Sequence, residues 1–177
     1  IVSCGPEDPK EEVKRGFMRM ITYAEKNVYV QTPYFVPDQS ILESLKMASQ
    51  SGVDVRVMIP CMPDHPFVYW ATYYYIGELL RSGARVWIYD NGFLHAKTLV
   101  VDGEVSSMGS TNFDNRSFKL NFETNAFVFD EDFAAQMEDT FEMDMQKSHE
   151  LTLSEYNKRN IIIRLKEVVS RLLTDVL

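Results

Sequence analysis

Cysteine is nearly absent from this chain of 177 residues: Cys4 and Cys61 lie far apart, with no CxxC or Cys/His spacing. Neither a disulfide scaffold nor a zinc site is implied, and a reducing compartment fits. Eight Gly and seven Pro are too few for a disordered or collagen-like chain, and 12% aromatic residues call for a packed interior. No run approaches ~18 apolar residues and no charged-then-apolar leader opens the chain, which predicts a soluble or at most peripheral piece. Basic residues are also short: 18 Lys and Arg against 26 Asp and Glu give a net charge of −8. That excludes a surface basic throughout, as nucleic-acid wrapping requires, but leaves room for a local basic pocket. What is present, 45% hydrophobic and 25% charged residues, suits one globular domain with one core. The chain opens on Ile1 and its first residues read as mid-chain, so a fragment of a longer protein is expected.

The order of elements follows from periodicity. After a loop at Gly5 to Pro9, Val13, Phe17, Met20, Ile21 and Ala24 recur at helical spacing and predict a helix over 10–25. NVYVQTPYF at 27–35 reads as a strand stopped by Pro33, and Asp38 or Ser40 can cap the helix that Gly52 ends. VDVRVMI is a second strand, followed by a proline-punctuated loop, an aromatic helix over 67–82 closed by Gly83, and the strand ARVWIY. This alternation predicts an α/β fold with a mixed, mostly parallel central sheet flanked by helices on both faces. From Leu94 the pattern changes: HAKTLVVD, EVSSMGS and NFETNAFVFD read as strands joined by short turns such as Asp102-Gly103. A helix from Asp130 or Glu131 to Lys147 carries Phe133, Met137, Phe141 and Met145 on one face, read as core. A polar linker at 148–158 then leads into a final amphipathic helix.

The chemistry concentrates in His95 and Lys97, followed by Asp102 and by Gly109-Ser110-Thr111-Asn112. Residues two apart on a strand share a face, so an imidazole and an ammonium point together, with Leu99 and Val101 continuing that side as packing. Asn112 adds an amide donor, and Glu123 is placed to hold an imidazole N–H. Such a set fits a phosphodiester: Lys97 neutralises its charge, and Asn112 donates to a non-bridging oxygen. A neutral imidazole can attack phosphorus, or its protonated form can donate to a departing alkoxide. This chemistry requires no metal and implies no cofactor; neither a two-carboxylate magnesium pattern nor a P-loop is present. His65 and His149 lack such context and are read as structural.

At these residues the chain resembles the phospholipase D superfamily, whose HxKxxxxD and GSxN patterns are met by His95, Lys97, Asp102, Gly109, Ser110 and Asn112. TPYFVPD at 32–38, FLHAKTLVVDG at 93–103 and GSTNFDNRSFKLNFE at 109–123 look like bacterial cardiolipin synthases. Over nearly its whole length the chain resembles the C-terminal of their two phospholipase D-like halves, as a single domain over 1–177. The resemblance implies phosphatidyl transfer between two phosphatidylglycerol molecules, releasing glycerol through a phosphohistidine. It implies an N-terminal half lying upstream, and a place at the cytoplasmic side of a bacterial membrane. By the same likeness the first half supplies the nucleophile and His95 protonates the leaving alcohol, Lys97 and Asn112 bind phosphate, and Glu123 orients an imidazole. Ser110 is placed near the phosphate. Asp102, at an odd offset from Lys97, is turned to the opposite strand face and supports by hydrogen bonding or simply forms the turn. Arg116 is a further phosphate ligand or a solvated loop arginine.

Other functions fit the residues less well. A homodimeric nuclease or phosphodiesterase would surround the site with Lys and Arg, whereas Asp90, Asp114, Glu123 and the acidic run at 130–144 dominate, so no nucleic acid is expected. A phosphatidylserine synthase or lipid hydrolase differs only in the acceptor. A catalytically dead lipid-binding half would show a damaged motif, and none is damaged. Between Lys158 and Asp175 five basic and two acidic residues give +3 beside an apolar face at Ile161 to Leu173. That face, and the rings of Phe67, Tyr69, Trp70, Tyr73, Tyr74 and Tyr75, are expected to pack on the domain, with a lipid interface as the alternative.

Overall fold

The structure is a computed structural model that describes residues 1–7, 10–62 and 64–173. Strand β1 (Val2–Cys4) leads to α1 (Glu12–Thr22), whose Val13, Phe17, Met20 and Ile21 turn inward at helical spacing. Then come β2 (Asn27–Gln31), the short β3 (Phe35–Val36), α2 (Gln39–Gln50), β4 (Asp54–Pro60), α3 (Pro66–Ser82) and β5 (Arg85–Tyr89). The Asp38 carboxylate caps α2 by accepting from the Ile41 N–H at 3.1 Å, and Gly83, at φ 98°, closes α3 in a conformation glycine adopts without strain. The second half runs through β6 (Thr98–Val101), β7 (Val105–Gly109), β8 (Phe113–Asp114), α4 (Asn115–Lys119), β9 (Glu123–Phe129), α5 (Glu131–Met145), β10 (Ser148–Glu150), α6 (Leu153–Asn157) and α7 (Ile161–Leu172).

Eight strands form one sheet in the order β1-β9-β7-β6-β2-β4-β5-β10, and β3 pairs with β8 beside it. Alternation along the strands sorts the core into two layers. Val28 and Val30, Val55 and Val57, and Leu99 and Val101 face α1, α2 and α3. Tyr29, Met58 and Leu94 face the other way, onto Phe141 of α5, with the Tyr29 and Phe141 rings stacked at 4.9 Å. The α/β architecture with helices on both faces matches the expectation.

Four expectations need correction. The sheet is mixed but not mostly parallel: β2-β4-β5 are parallel, and the five other neighbouring pairs are antiparallel. Helical crossovers between parallel neighbours, through α2 and α3, exist only up to β5; beyond Leu94 a tight turn joins β6 to β7, and the connections through α4 and α5 bring β9 and β10 in antiparallel to their neighbours. His95 to Lys97 are extended but precede β6, which begins at Thr98. Residues 148–158 are not a bare linker, since β10 pairs along the edge of β5 and α6 follows with a Thr152–Glu155 capping box. The apolar face of α7 does not pack on the domain: Ile161, Leu165 and Leu172 are exposed, while Glu167 and Ser170 are the buried positions. Of the six rings of α3, Phe67 is exposed and the others are half-buried. No helix among the described residues is long and apolar enough to cross a membrane.

Candidate active site

The site forms where the start of β6, the end of β7 and the start of β9 meet. The Gly109 N–H donates to the Lys97 carbonyl at 3.3 Å and the Ser110 N–H to the Thr124 carbonyl at 3.0 Å, so the two halves of the motif lie side by side across adjacent strands. Gly109 has to be glycine here. A Cβ would run into the Thr124 carbonyl and the Asn125 side chain. Buried Asn125 then pins the loop, accepting from the Thr111 N–H at 3.2 Å and donating to Ser107 at 3.2 Å.

On this frame His95 is exposed, its ring 5.8 Å from that of Phe93. Lys97 is half-buried, and its ammonium donates to the His95 carbonyl at 3.0 Å. Burial lowers the pKa of Lys97, while the carboxylates of Glu123, Asp114 and Asp64 work in the opposite direction. The Ser110 hydroxyl donates to Glu123 and accepts from the Thr124 N–H at 3.0 Å, so it is occupied in holding β9 rather than offered to a ligand. Glu123 also accepts from the Asn121 amide at 3.2 Å. No hydrogen bond joins Glu123 to the His95 ring among the described residues.

Asn112 is buried, and its Oδ1 has no partner among the described residues. It stands at a cavity of about 350 Å³ whose wall includes Tyr34, Val36, His65, Asp114 and Arg116. Pairing of β3 with β8 closes this wall: Phe35 lies opposite Phe113, and the Phe113 N–H donates to Thr32 Oγ1 at 3.2 Å. Phe17 of α1 stacks on Phe113 at 4.9 Å, anchoring the loop to the core. Burial raises the pKa of Asp114, against its bond from the Ser117 N–H at 2.6 Å, which caps α4.

Asp102 does not join this group. It sits at the far end of β6, five residues from Lys97, or roughly 15 Å of extended chain. Its carboxylate accepts from the N–H groups of Glu25 and Lys26 at 2.8 Å and of Asn27 at 2.9 Å, and its own N–H donates to Asn27 Oδ1 at 2.7 Å. It tolerates φ 59°, beside Gly103 at φ 65°, to make the turn into β7. Asp102 therefore clamps the entry to β2 and serves the sheet. His149 pairs with Asp90 at 2.7 Å, a structural role. His65 instead stands at the start of α3 on the cavity wall, and Tyr34 donates its hydroxyl to Asp64 in the same place. Tyr34 lies within the TPYFVPD stretch, so a signal existed; His65 carries none in its sequence context.

Residues 17–145 match the family described as the PLD-like domain of cardiolipin synthase. The whole chain is 55% identical to a cardiolipin synthase of Listeria monocytogenes serotype 4a (strain HCC23), and 52% identical to the major cardiolipin synthase ClsA of Bacillus subtilis (strain 168). It spans 37% of the length of each of these relatives. Among solved structures, phosphatidylserine synthase of Haemophilus influenzae Rd KW20 superposes with a TM-score of 0.73 at 18% identity, covering 98% of this chain and 44% of that one. Nuc, a phospholipase D family member of Salmonella typhimurium, gives 0.72 at 19% identity, over 85% of this chain and 98% of that one. The fold is thus that of these two proteins. With the motif residues other than Asp102 gathered at one end of its sheet and a family match across most of its length, the chain belongs to the phospholipase D-like domains of the cardiolipin synthases.

Proposed function

We propose that this chain is the C-terminal catalytic half of a cardiolipin synthase, a phosphatidyltransferase that joins two phosphatidylglycerol molecules and releases glycerol. The observation that carries the reading is an exposed imidazole at His95 and a half-buried ammonium at Lys97, with the Gly109 to Asn112 loop hydrogen-bonded alongside through the Gly109 N–H and the Lys97 carbonyl. One such half-site can stabilise a phosphodiester but cannot both attack it and protonate its leaving group. The relatives are longer than this chain, which leaves room for an upstream domain that supplies the second imidazole.

In the reaction, the other half's imidazole attacks phosphorus and the bond to the glycerol oxygen breaks, with His95 donating its proton to that oxygen. The now neutral His95 takes a proton from a hydroxyl of the second phosphatidylglycerol, whose oxygen attacks the phosphohistidine and frees the imidazole. Lys97 and Asn112 hold the non-bridging oxygens as charge develops. Arg116, on the cavity wall, adds a cation there. Glu123, tethered by Ser110 and Asn121, presents a carboxylate for an imidazole N–H that comes from outside this half-site. The apolar side chains of Phe93, Met108, Leu120 and Phe122, all exposed and within three residues of a site residue, suit a covering domain, either the N-terminal half or a second copy. The domain works at the cytoplasmic side of the bacterial membrane.

The test is to incubate the intact gene product, and its His95→Ala variant, with phosphatidylglycerol vesicles and to separate the products. Equimolar cardiolipin and glycerol, lost in the variant, are expected. Phosphatidic acid in place of cardiolipin would make water the acceptor and overturn the synthase reading. Robust turnover by a monomer of this chain alone would overturn the two-half account.

A further inference from the structure

Nothing in the reaction above uses α7, yet it is the least ordinary surface of the molecule. Ile161, Ile162, Leu165, Val168, Val169 and Leu172 form a single stripe at helical spacing and face solvent, with Ile161 82% and Leu172 71% exposed. The inward side is polar instead. Glu167 is 3% exposed and receives both arms of Arg159, at 2.6 and 2.9 Å, while that guanidinium lies 3.2 Å over the Tyr156 ring. A helix of a self-contained domain turns its apolar stripe to the core. Here the ion pair is buried and the stripe left out.

The borders of the stripe are basic. At about 100° per residue, Arg164 and Arg171 fall along one edge and Lys166 along the other. Residues 158–173 carry five basic side chains against Glu167 alone, which Arg159 neutralises, in a chain whose net charge is −8. The stripe continues onto α3, where Phe67 and Trp70 line a groove of about 370 Å³ with Leu165 and Val169, and the Lys166 ammonium stands 5.2 Å over the Trp70 ring. The same stretch of α3, through His65, Val68 and Ala71, walls the cavity beside Asn112. One helix thus has the site on one side and the apolar stripe on the other.

We propose that the α7 stripe, with Phe67 and Trp70, seats this domain on an anionic lipid bilayer, its apolar side chains below the headgroups and its basic borders level with the phosphates. Charge decides the occupant. The basic borders repel a second copy of themselves, whereas an anionic bilayer matches both the apolar centre and its edges. The choice of lipid rests on the phosphatidyl-transfer reading, which places the substrate in such a bilayer.

The test is sedimentation of the 177-residue chain with vesicles of mixed phosphatidylglycerol and phosphatidylcholine, and with phosphatidylcholine alone. Binding to the mixed vesicles is expected to exceed binding to the neutral ones by about tenfold or more, and to fall by about as much in the Ile162→Glu, Leu165→Glu double variant. Both positions are 62% exposed, so the fold should be kept, as circular dichroism and a melt will verify. Phe129→Glu, at a site 82% exposed on β9, should bind as the parent does. His95→Ala should also bind unchanged, which separates the two readings: transfer products that persist in the intact His95→Ala enzyme sink the chemistry without touching the docking. Undiminished binding by the double variant overturns the docking. So does a solution dimer that the same variant dissolves, since protein would then cover the stripe.

Discussion

Residues 95–125 and residues 159–172 both bury polar or charged side chains, but the burial has opposite consequences. In the first segment the buried groups are tied to backbone: Asn125 holds the Thr111 N–H, and Gly109 gives up its side chain so that two strands can close on it. Among the buried polar atoms there without a partner, Asn112 Oδ1 and Asn115 Oδ1 belong to residues that line a cavity. In the second segment the buried carboxylate of Glu167 is held by Nε and Nη2 of Arg159, whose Nη1 is itself buried without a partner, and the apolar side chains stay outside. An open valence at a cavity is available to a ligand. An ion pair buried under a helix fixes which way that element faces, here presenting the stripe of α7 outward.

Several measurements can break this contrast. His95→Ala should cost the intact enzyme about 10²–10⁴-fold in turnover with an unchanged melting curve, because the ring is exposed and its loss is chemical; product chromatography and a thermal melt check both halves of that statement. Arg159→Ala should destabilise by about 3–5 kcal/mol in urea unfolding, since it strands a buried carboxylate. If the two cost the same stability, the distinction between the segments fails. Asp102→Ala sharpens the boundary of the site: three backbone N–H groups lose a charged acceptor, so about 2–3 kcal/mol of stability should go, while turnover per folded molecule of the intact enzyme stays near the parent value. The smallest effect concerns pH. Lys97 binds phosphate only when charged, and burial lowers its pKa, so kcat/KM should fall on the alkaline side at a pH below the ordinary lysine value of 10.5. Lys97→Arg, whose guanidinium does not titrate in this range, should remove that limb.

Much of this was legible from residues alone. Strand and helix alternation with Gly83 and Asp38 at the helix ends located α2, α3 and β5, because capping and left-handed turns are local chemistry. The spacing of His95, Lys97, Gly109 and Asn112 picked out segments that meet where β6, β7 and β9 come together. Strand and helix alternation suggests a mostly parallel sheet, but it does not encode strand direction: β6, β7, β9 and β10 all enter antiparallel, whether a turn or a helix precedes them. Asp102 looked like part of the site because it shares the motif; only the hydrogen bonds to residues 25–27, distant in sequence, place it with the scaffold. His65 was passed over for the converse reason, as its neighbours Asp64 and Pro66 say nothing of the cavity it walls.

The sequence by itself determined the chemistry and the elements: residue types and short spacings set propensity, capping and the donor set for a phosphodiester. The tertiary structure alone decided orientation. An amphipathic stripe records that a helix has two faces, and not which of them meets the protein. For α7 that choice lies with Arg159, Tyr156 and Glu167, whose contacts span chain segments no local pattern connects.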